Sequence, residues 1–215
     1  MSSSLQVLGQ TERVLVRAPQ TDDLDEIAGL WTDPLVTQHI GGPRVPAIML
    51  EHFQEYAQDP EAIVRDEHER WWSVIEQSTR ELAGLCSLAE KEIEGHVETE
   101  LGYFFLPRFW GRGLATESAG LAVRHAFVDL QLDSLIAIIH PDNASSIAVA
   151  LRLGMHLERK VLRPDGVERQ IYRLFRSRCP SPAPDASTKP TIPRGPDLSR
   201  RHGGRLSGTT SPHGG

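Results

Sequence analysis

The stretch ELGYFFLPRFWGRGLATES, residues 100–118, runs from an apolar strand pattern through a proline to two glycines and the start of a helix. Pro107 cannot donate a hydrogen bond to a sheet, so it ends the strand. Gly111 and Gly113 let backbone N–H groups approach a ligand closely, and the first turn of a helix offers unpaired donors and a partial positive charge. Taken alone, these letters predict either an anion-binding loop or, equally well, a tight strand-to-helix turn without a ligand.

Glycine loops of this kind also bind dinucleotides and nucleoside triphosphates. The spacing Gly111-x-Gly113-x-x-Thr116 follows a strand and opens a helix, as a dinucleotide fingerprint does. However, a threonine replaces the third glycine, several strands precede the loop, and the next strand ends at His140 rather than at an acid for the ribose. A P-loop is excluded because no Lys-Ser or Lys-Thr pair follows the glycines. A nucleotide-cofactor oxidoreductase is therefore a minor alternative.

Around this loop, hydrophobic periodicity predicts a mixture of hairpins and crossovers. Thr21 is expected to cap the first helix, and Asn143 and Gly154 are expected to begin and end the last one. The predicted order is β-α-α-β-β-β-α-β-α-β-β, with strands near 12–18, 70–76, 81–90, 98–106, 134–140, 155–162 and 167–175. Because strands outnumber helices and hairpins mix with crossovers, this order indicates a mixed α/β domain rather than a doubly wound parallel sheet.

Composition divides the chain near its C-terminal end. Residues 180–215 are dense in Pro, Gly, Ser and Thr and nearly lack large apolar side chains, so we predict a disordered tail after a folded domain at residues 1–179. The tail holds five Lys or Arg against two Asp or Glu, whereas the domain holds 18 against 27. Such an acidic domain argues against nucleic-acid binding.

Other compositional features narrow the class of protein. No run of about 18 apolar residues is present, so no membrane-spanning helix is expected, and the N-terminus lacks the pattern of an export signal. The two cysteines, Cys86 and Cys179, do not suggest a disulfide framework. The His, Cys and acidic residues show no metal-ligand spacing. We therefore expect a cytoplasmic protein without a metal site.

A second segment, HPDNASSIAVALRLGM at residues 140–155, follows the loop at a distance of about 30 residues and places Asn143 and Ser146 after a buried strand. Together with WWSVIEQSTRELAGLCSL and ELGYFFLPRFWGRGLATES, it resembles the GCN5-related N-acetyltransferase (GNAT) superfamily, in particular the branch of ribosomal-protein alanine acetyltransferases of the RimJ/RimL type. The resemblance covers roughly residues 11–176. It implies an acyl-CoA N-acyltransferase fold, with a central, mostly antiparallel mixed sheet that splays near the cofactor and is flanked by helices.

In that family the glycine loop binds the pyrophosphate of acetyl-CoA through backbone N–H groups, with the pattern Gln/Arg-x-x-Gly-x-Gly/Ala. Two frames fit: one begins at Arg108, and the other, Trp110-x-x-Gly113-x-Ala115, places tryptophan where glutamine or arginine is usual. We prefer the Trp110 frame because it sets the pyrophosphate over the first helical turn. The resemblance predicts the following acetyl-CoA contacts: Phe104, Phe105, Leu106, Trp110, Gly111, Arg112, Gly113, Leu114, Ala115, Thr116, Asn143 and Ser146.

Transfer of an acetyl group needs an acceptor for the ammonium proton and a donor for the leaving thiolate. By resemblance, Glu100 is the expected base, acting through water, and Ser146 the expected thiolate donor or acid. Glu98 is the fallback base and Tyr172 the alternative acid. His39 lies in the region that typically forms the acceptor wall, so it is expected to contact the substrate.

The acceptor is expected to be a primary amine, either a protein N-terminus or a small molecule. With reference pKa values of about 7.8 for an α-amine and about 10.4 for lysine, roughly one α-amine in seven is neutral at pH 7, but only about one lysine in 2,500. A site whose base is not fixed by the sequence is therefore better suited to an α-amine or another amine of low pKa. A catalytically silent acyl-CoA-binding module is the main alternative, and the resemblance also allows a homodimer.

Overall fold

The computed structural model describes residues 6–163 and 166–178. Its strands form one eight-stranded sheet. The strands lie in the spatial order β1-β2-β3-β4-β5-β6-β8-β7, and every neighbouring pair is antiparallel except β5 and β6. Their bounds are β1 (Val7–Gln10), β2 (Val14–Arg17), β3 (Glu69–Glu76), β4 (Leu82–Ile93), β5 (His96–Phe105), β6 (Ser134–Ile139), β7 (His156–Leu162) and β8 (Glu168–Phe175).

Helices cover the two faces of this sheet. They are α1 (Leu24–Thr32), α2 (Pro34–Thr37), α3 (Pro46–Gln58), α4 (Ala62–Arg65), α5 (Leu114–Val128) and α6 (Ala144–Arg152). Trp31 of α1 and Phe53 of α3 pack edge-on against Trp71 of β3, so α1 and α3 cover the face that carries Trp71. His125 of α5 packs against the adjacent Trp72, whose side chain points to the opposite face.

The sheet opens between its two parallel strands. β5 and β6 pair only at Glu100 and Ile136, although β5 continues for five residues beyond that point and β6 for three. The strands therefore diverge towards their C-terminal ends, and the loops that follow them, before α5 and α6, lie on the two sides of this split. This arrangement confirms the predicted fold class, a mixed, mostly antiparallel sheet flanked by helices.

Two local expectations from the sequence were wrong or incomplete. Thr21 does not cap α1: it begins a short 3₁₀ turn, and the carboxylate of Asp23 accepts the Gln20 backbone N–H at 2.8 Å instead. Asp23 is held there by a bidentate, buried pair with Arg17 (2.7 and 2.9 Å), which fixes its orientation. The short elements β1, α2 and α4 were not predicted, because four-residue segments carry too little periodicity. The predicted tail, residues 180–215, lies outside the described residues.

Candidate acyl-CoA site at the split of the sheet

The loop between β5 and α5 presents an arc of unpaired backbone donors. Gly111 and Gly113 adopt φ angles of +73° and +81°, in the left-handed region that favours glycine. None of the N–H groups of residues 111–116 has a hydrogen-bond partner among the described residues, and the first helical bond is made by Glu117 N–H to Gly113 C=O. The Thr116 hydroxyl, in the same turn, is buried without a partner. This cluster of donors fits a multiply charged anion such as a pyrophosphate.

Side chains from distant segments hold this loop in place. The guanidinium of Arg112 donates to the buried carboxylate of Glu76 at 2.6 Å, and Arg13 donates to the Arg112 carbonyl at 2.9 Å. Arg13 also pairs with Glu117 in the first turn of α5. Hydrogen bonds from Ser78 and from Thr79 lower the pKa of Glu76 to about 2, so its charge persists over the working range of pH.

The side chains of the two arginines in the loop form ion pairs within the protein. Arg108 pairs with Glu26 at 2.7 Å, and Arg112 pairs with Glu76, so acids already balance both charges. Arg112 still offers its backbone N–H to a ligand, but its side chain braces the loop. The anion site consists mainly of main-chain donors.

Only one of the three predicted strand-end residues directs its backbone into the split. Leu106 N–H donates to Ala83 C=O of β4 at 3.0 Å, and the register Leu85–Phe104 places Phe104's main-chain groups towards β4 as well. By the same alternation, the N–H and C=O of Phe105 point away from β4, towards the split. The Phe105 C=O accepts from the Trp110 indole at 2.6 Å, so the Phe105 N–H is the group left for a ligand.

Trp110 thus has a defined role in the loop that its sequence position alone did not reveal. Its indole nitrogen reaches back five residues and ties the loop to the end of β5. In the expected family pattern this position holds glutamine or arginine. Here the side chain closes the loop on its own strand, whereas the neighbouring residues 111–116 keep their donors unpaired.

Across the split, the first turn of α6 brings Asn143 and Ser146 to the same region. Asn143 caps α6 as predicted, because its side-chain oxygen accepts the Ser146 N–H at 3.1 Å. The Ser146 hydroxyl, which is half-buried, has no hydrogen-bond partner among residues 6–163 and 166–178. Tyr103 of β5 donates to the Ser146 carbonyl at 2.9 Å and so joins the two sides of the split. Tyr103 was not identified from the sequence, because no motif marks it.

Glu100 lies where β5 and β6 part, on the face of the sheet that Phe104 shares. Burial raises the pKa of its carboxyl from the usual 4.5 to about 7, against opposing effects from Lys91, from the Ile138 backbone N–H and from Arg163. A carboxyl that titrates near pH 7 has the proton affinity that a general base needs. The role of Glu100 as the base stays a prediction.

The fallback base and the alternative acid are less suited to those roles. Glu98 is held by Arg173 through two hydrogen bonds of 2.9 and 2.6 Å, and these hydrogen bonds lower the pKa of its carboxyl. Tyr172 is buried and donates to Gln170 at 3.0 Å. Cys86 is buried as well, and burial raises the pKa of its thiol to about 12, which makes it a poor nucleophile.

His39 lies after α2, and its ring centre is 5.2 Å from that of His140, the residue that follows β6. The structure therefore places this predicted substrate contact at the end of the split, near a second histidine that sequence reasoning did not select. Within the described residues, no three His, Cys, Asp or Glu side chains are grouped closely enough to hold a metal ion. No helix described is long and apolar enough to cross a membrane.

Comparison with known proteins agrees with this geometry. Residues 13–156 match the family described as "Acetyltransferase (GNAT) domain". The chain is 34% identical over 90 residues to the uncharacterized protein YkkB of Bacillus subtilis, a match that covers 42% of this chain and 52% of that protein. The chain thus spans about half the length of this relative.

Two solved structures show the same fold. The spermidine N-acetyltransferase of Vibrio cholerae, in complex with CoA and spermine, aligns with a TM-score of 0.63 and 17% identity over 78% of this chain and 98% of that one. RimL, the ribosomal L7/L12 α-N-protein acetyltransferase, in its apo form, aligns with a TM-score of 0.64 and 18% identity over 81% of this chain and 97% of that one. At these identities, the two structures show that the chain has the same fold.

Proposed function

Because this chain belongs to the GNAT acetyltransferase family, we propose that it moves an acetyl group from acetyl-CoA to a primary amine, which attacks the thioester directly while both substrates are bound. The single observation that carries this proposal is the combination of the unpaired donors of residues 111–116 with a carboxyl of pKa about 7 at the adjoining split. The first binds the pyrophosphate and the second accepts a proton.

The residues around the split support each part of this reaction. The amine nitrogen attacks the thioester carbonyl carbon, so that a C–N bond forms, and Glu100 takes the ammonium proton through a water molecule. The Phe105 N–H donates to the oxygen that becomes negatively charged. The C–S bond then breaks, and the Ser146 hydroxyl donates to the departing thiolate. The pantetheine arm lies along the Phe105 backbone between β5 and β6.

The buried thiol of Cys86, the one cysteine among the described residues, favours direct attack over formation of a covalent acetyl-enzyme. Cys86 lies in the core with a pKa raised to about 12 and is therefore largely protonated at neutral pH. An acceptor that is a primary amine agrees with the spermine in the Vibrio cholerae complex and with the α-N-protein activity in the name of RimL. Both names describe those proteins. Assays with a panel of amines would identify the acceptor of this chain.

Two-substrate initial rates test the proposal. Thiol release from acetyl-CoA is measured while acetyl-CoA and an amine are both varied, with N-terminal peptides, amino-acid amides and polyamines as acceptors. We expect intersecting double-reciprocal lines, as a ternary complex requires. Parallel lines would contradict direct attack. Tight CoA binding without turnover of any amine would instead favour a silent acyl-CoA-binding module.

A further inference from the structure

Tyr103 lies on β5 three residues beyond Glu100, where β5 no longer pairs with β6. It is in register with Cys86 of β4, which is itself in register with Trp72 of β3. Its side chain therefore points to the face that α5 covers, opposite to Glu100. There the Tyr103 hydroxyl donates to the Ser146 carbonyl at 2.9 Å. In the part of the chain that the structure describes, no other residue of β5 beyond Glu100 donates a hydrogen bond to α6.

The backbone of Ser146 is held on both sides by partners outside the regular hydrogen bonds of α6. Its N–H donates to the side-chain oxygen of Asn143 at 3.1 Å, and its carbonyl accepts from Tyr103. A carbonyl oxygen has two lone pairs, so this group can accept from Tyr103 as well as from the N–H four residues later in the helix. These two bonds fix the orientation of Ser146 without using its hydroxyl.

The bond from Tyr103 to Ser146 persists over the working range of pH. Burial raises the pKa of the Tyr103 hydroxyl well above its usual value; the hydrogen bond to Ser146 opposes this shift, and the charge of Glu100 adds to it. The phenol is therefore protonated wherever acetyl transfer would be measured, and it remains a donor to the carbonyl.

The proposed reaction needs two donors at a fixed separation. In a thioester the carbonyl oxygen and the sulfur are bonded to the same carbon atom, so the groups that stabilise charge on each of them must be held in one geometry. The expected donors are the Phe105 N–H on β5 and the Ser146 hydroxyl on α6, which lie on opposite sides of the split. Tyr103, two residues before Phe105, ties the first side directly to the second.

We propose that Tyr103 is a positioning residue for acetyl transfer: its hydroxyl holds the first turn of α6 at the distance from β5 at which Ser146 meets the leaving thiolate. This inference rests on the proposed acetyl transfer. Because Tyr103 and Glu100 point to opposite faces of the sheet, Tyr103 acts on the departure of the thiolate and not on removal of the amine proton. Binding of the pyrophosphate belongs to residues 111–116 and does not depend on Tyr103.

A double-mutant cycle tests this role. Single-turnover rates of acetyl transfer, which exclude product release, are measured for Tyr103→Phe, for Ser146→Ala and for the variant that carries both. The matched control is Tyr56→Phe, which removes from α3 a hydroxyl that donates to the Asp66 carboxylate and to the Glu69 carbonyl, each at 2.7 Å. Calorimetric titration with CoA and the melting temperature show that each variant is folded.

We expect Tyr103→Phe to lower the rate about tenfold, since one well-placed hydrogen bond corresponds to about that factor. Its CoA affinity should stay within about twofold of wild type, and its pH dependence below pH 7 should be unchanged. Added to Ser146→Ala, it should lower the rate by no more than about twofold further, because it acts through Ser146. Tyr56→Phe should have the wild-type rate, even if it is less stable.

Several outcomes overturn this inference and leave acetyl transfer standing. They are a wild-type rate in Tyr103→Phe, and effects of Tyr103→Phe and Ser146→Ala that multiply in the double variant. An equal loss of rate in Tyr56→Phe would indicate general destabilisation, and a shifted pH profile in Tyr103→Phe would indicate an effect on Glu100; either also contradicts the proposed role. Absence of turnover by the wild-type protein with every amine overturns acetyl transfer itself and this inference with it.

Discussion

Replacing Glu100 by glutamine tests the base most sharply, because its carboxyl has both a defined place and a defined titration. Burial raises the pKa of this group from 4.5 to about 7. Once corrected for the neutral fraction of the amine, the kcat/KM of wild type should therefore rise about tenfold per pH unit below 7 and level off above about pH 8. Glu100→Gln should lose this dependence. Its turnover at pH 8 should fall by about 100-fold or more, in the range measured for general bases.

The same substitution should make the protein more stable at high pH. A carboxyl whose pKa is raised on folding holds its proton more tightly in the folded state, so its contribution to stability is lost as pH rises from about 4.5 to 7. At about 1.4 kcal/mol per pH unit, the full shift sets an upper bound of about 3 kcal/mol. Because Glu100 is only half-buried by surface area, we expect Glu100→Gln to add about 1–2 kcal/mol to the unfolding free energy at pH 8 and nothing near pH 4.

Two assays and one control complete this test. Thiol release gives the pH–rate profile, and urea unfolding at pH 4 and pH 8 gives the stability. The control is Glu98→Gln, which lies on the same strand as Glu100 and removes one of the carboxylates that pair with Arg173. This variant should be less stable than wild type but should keep the wild-type pH profile. The reasoning is refuted if Glu100→Gln keeps the wild-type limb below pH 7, or if Glu98→Gln loses it.

Three further substitutions examine the cofactor side. Gly113→Glu should abolish CoA binding in calorimetry, whereas Gly95→Glu, at a similar φ of +82° in the β4–β5 turn, should strain the backbone equally but leave CoA affinity intact. Ser146→Ala should lower kcat about tenfold or more without weakening CoA binding. The control Ser145→Ala, on an exposed neighbour, should have the wild-type kcat. Equal rates in the two variants would show that Ser146 does not donate to the leaving thiolate. Gly84→Ala should lower both the melting temperature and CoA affinity, because an added Cβ would lie 2.1 Å from the Phe104 carbonyl; unchanged values would show that β5 can shift freely there.

The fold and the glycine loop could be predicted because their determinants are local. The glycines, the proline and the helix start lie within residues 107–118, and the Asn143 cap lies in a single helical turn. Alternation over seven or more residues indicated most of the strands. The short β1 was not predicted because its four residues show no clear hydrophobic period. The hairpin that β1 forms with β2 nevertheless contains Arg13, which donates a hydrogen bond to the Arg112 carbonyl in the loop.

The remaining parts of the site depend on contacts between segments far apart in sequence. Glu76 and Arg112 are 36 residues apart, and Tyr103 reaches a carbonyl 43 residues away. His39 and His140 are distant in sequence, yet their ring centres lie 5.2 Å apart in the folded chain. Ion pairing of Arg108 and Arg112 likewise follows from tertiary structure. Sequence spacing therefore indicated which segments lie around the split of the sheet, but it could not assign the charges and hydrogen bonds there.

The most direct measurement of the central claim is the appearance of free CoA thiol when the purified chain is mixed with acetyl-CoA and a panel of amines at pH 8. We expect amine-dependent thiol release that saturates in both substrates, with an equal amount of acetylated amine detected by mass spectrometry. Thiol release that does not depend on the amine, or none above the uncatalysed rate with any acceptor, would contradict it.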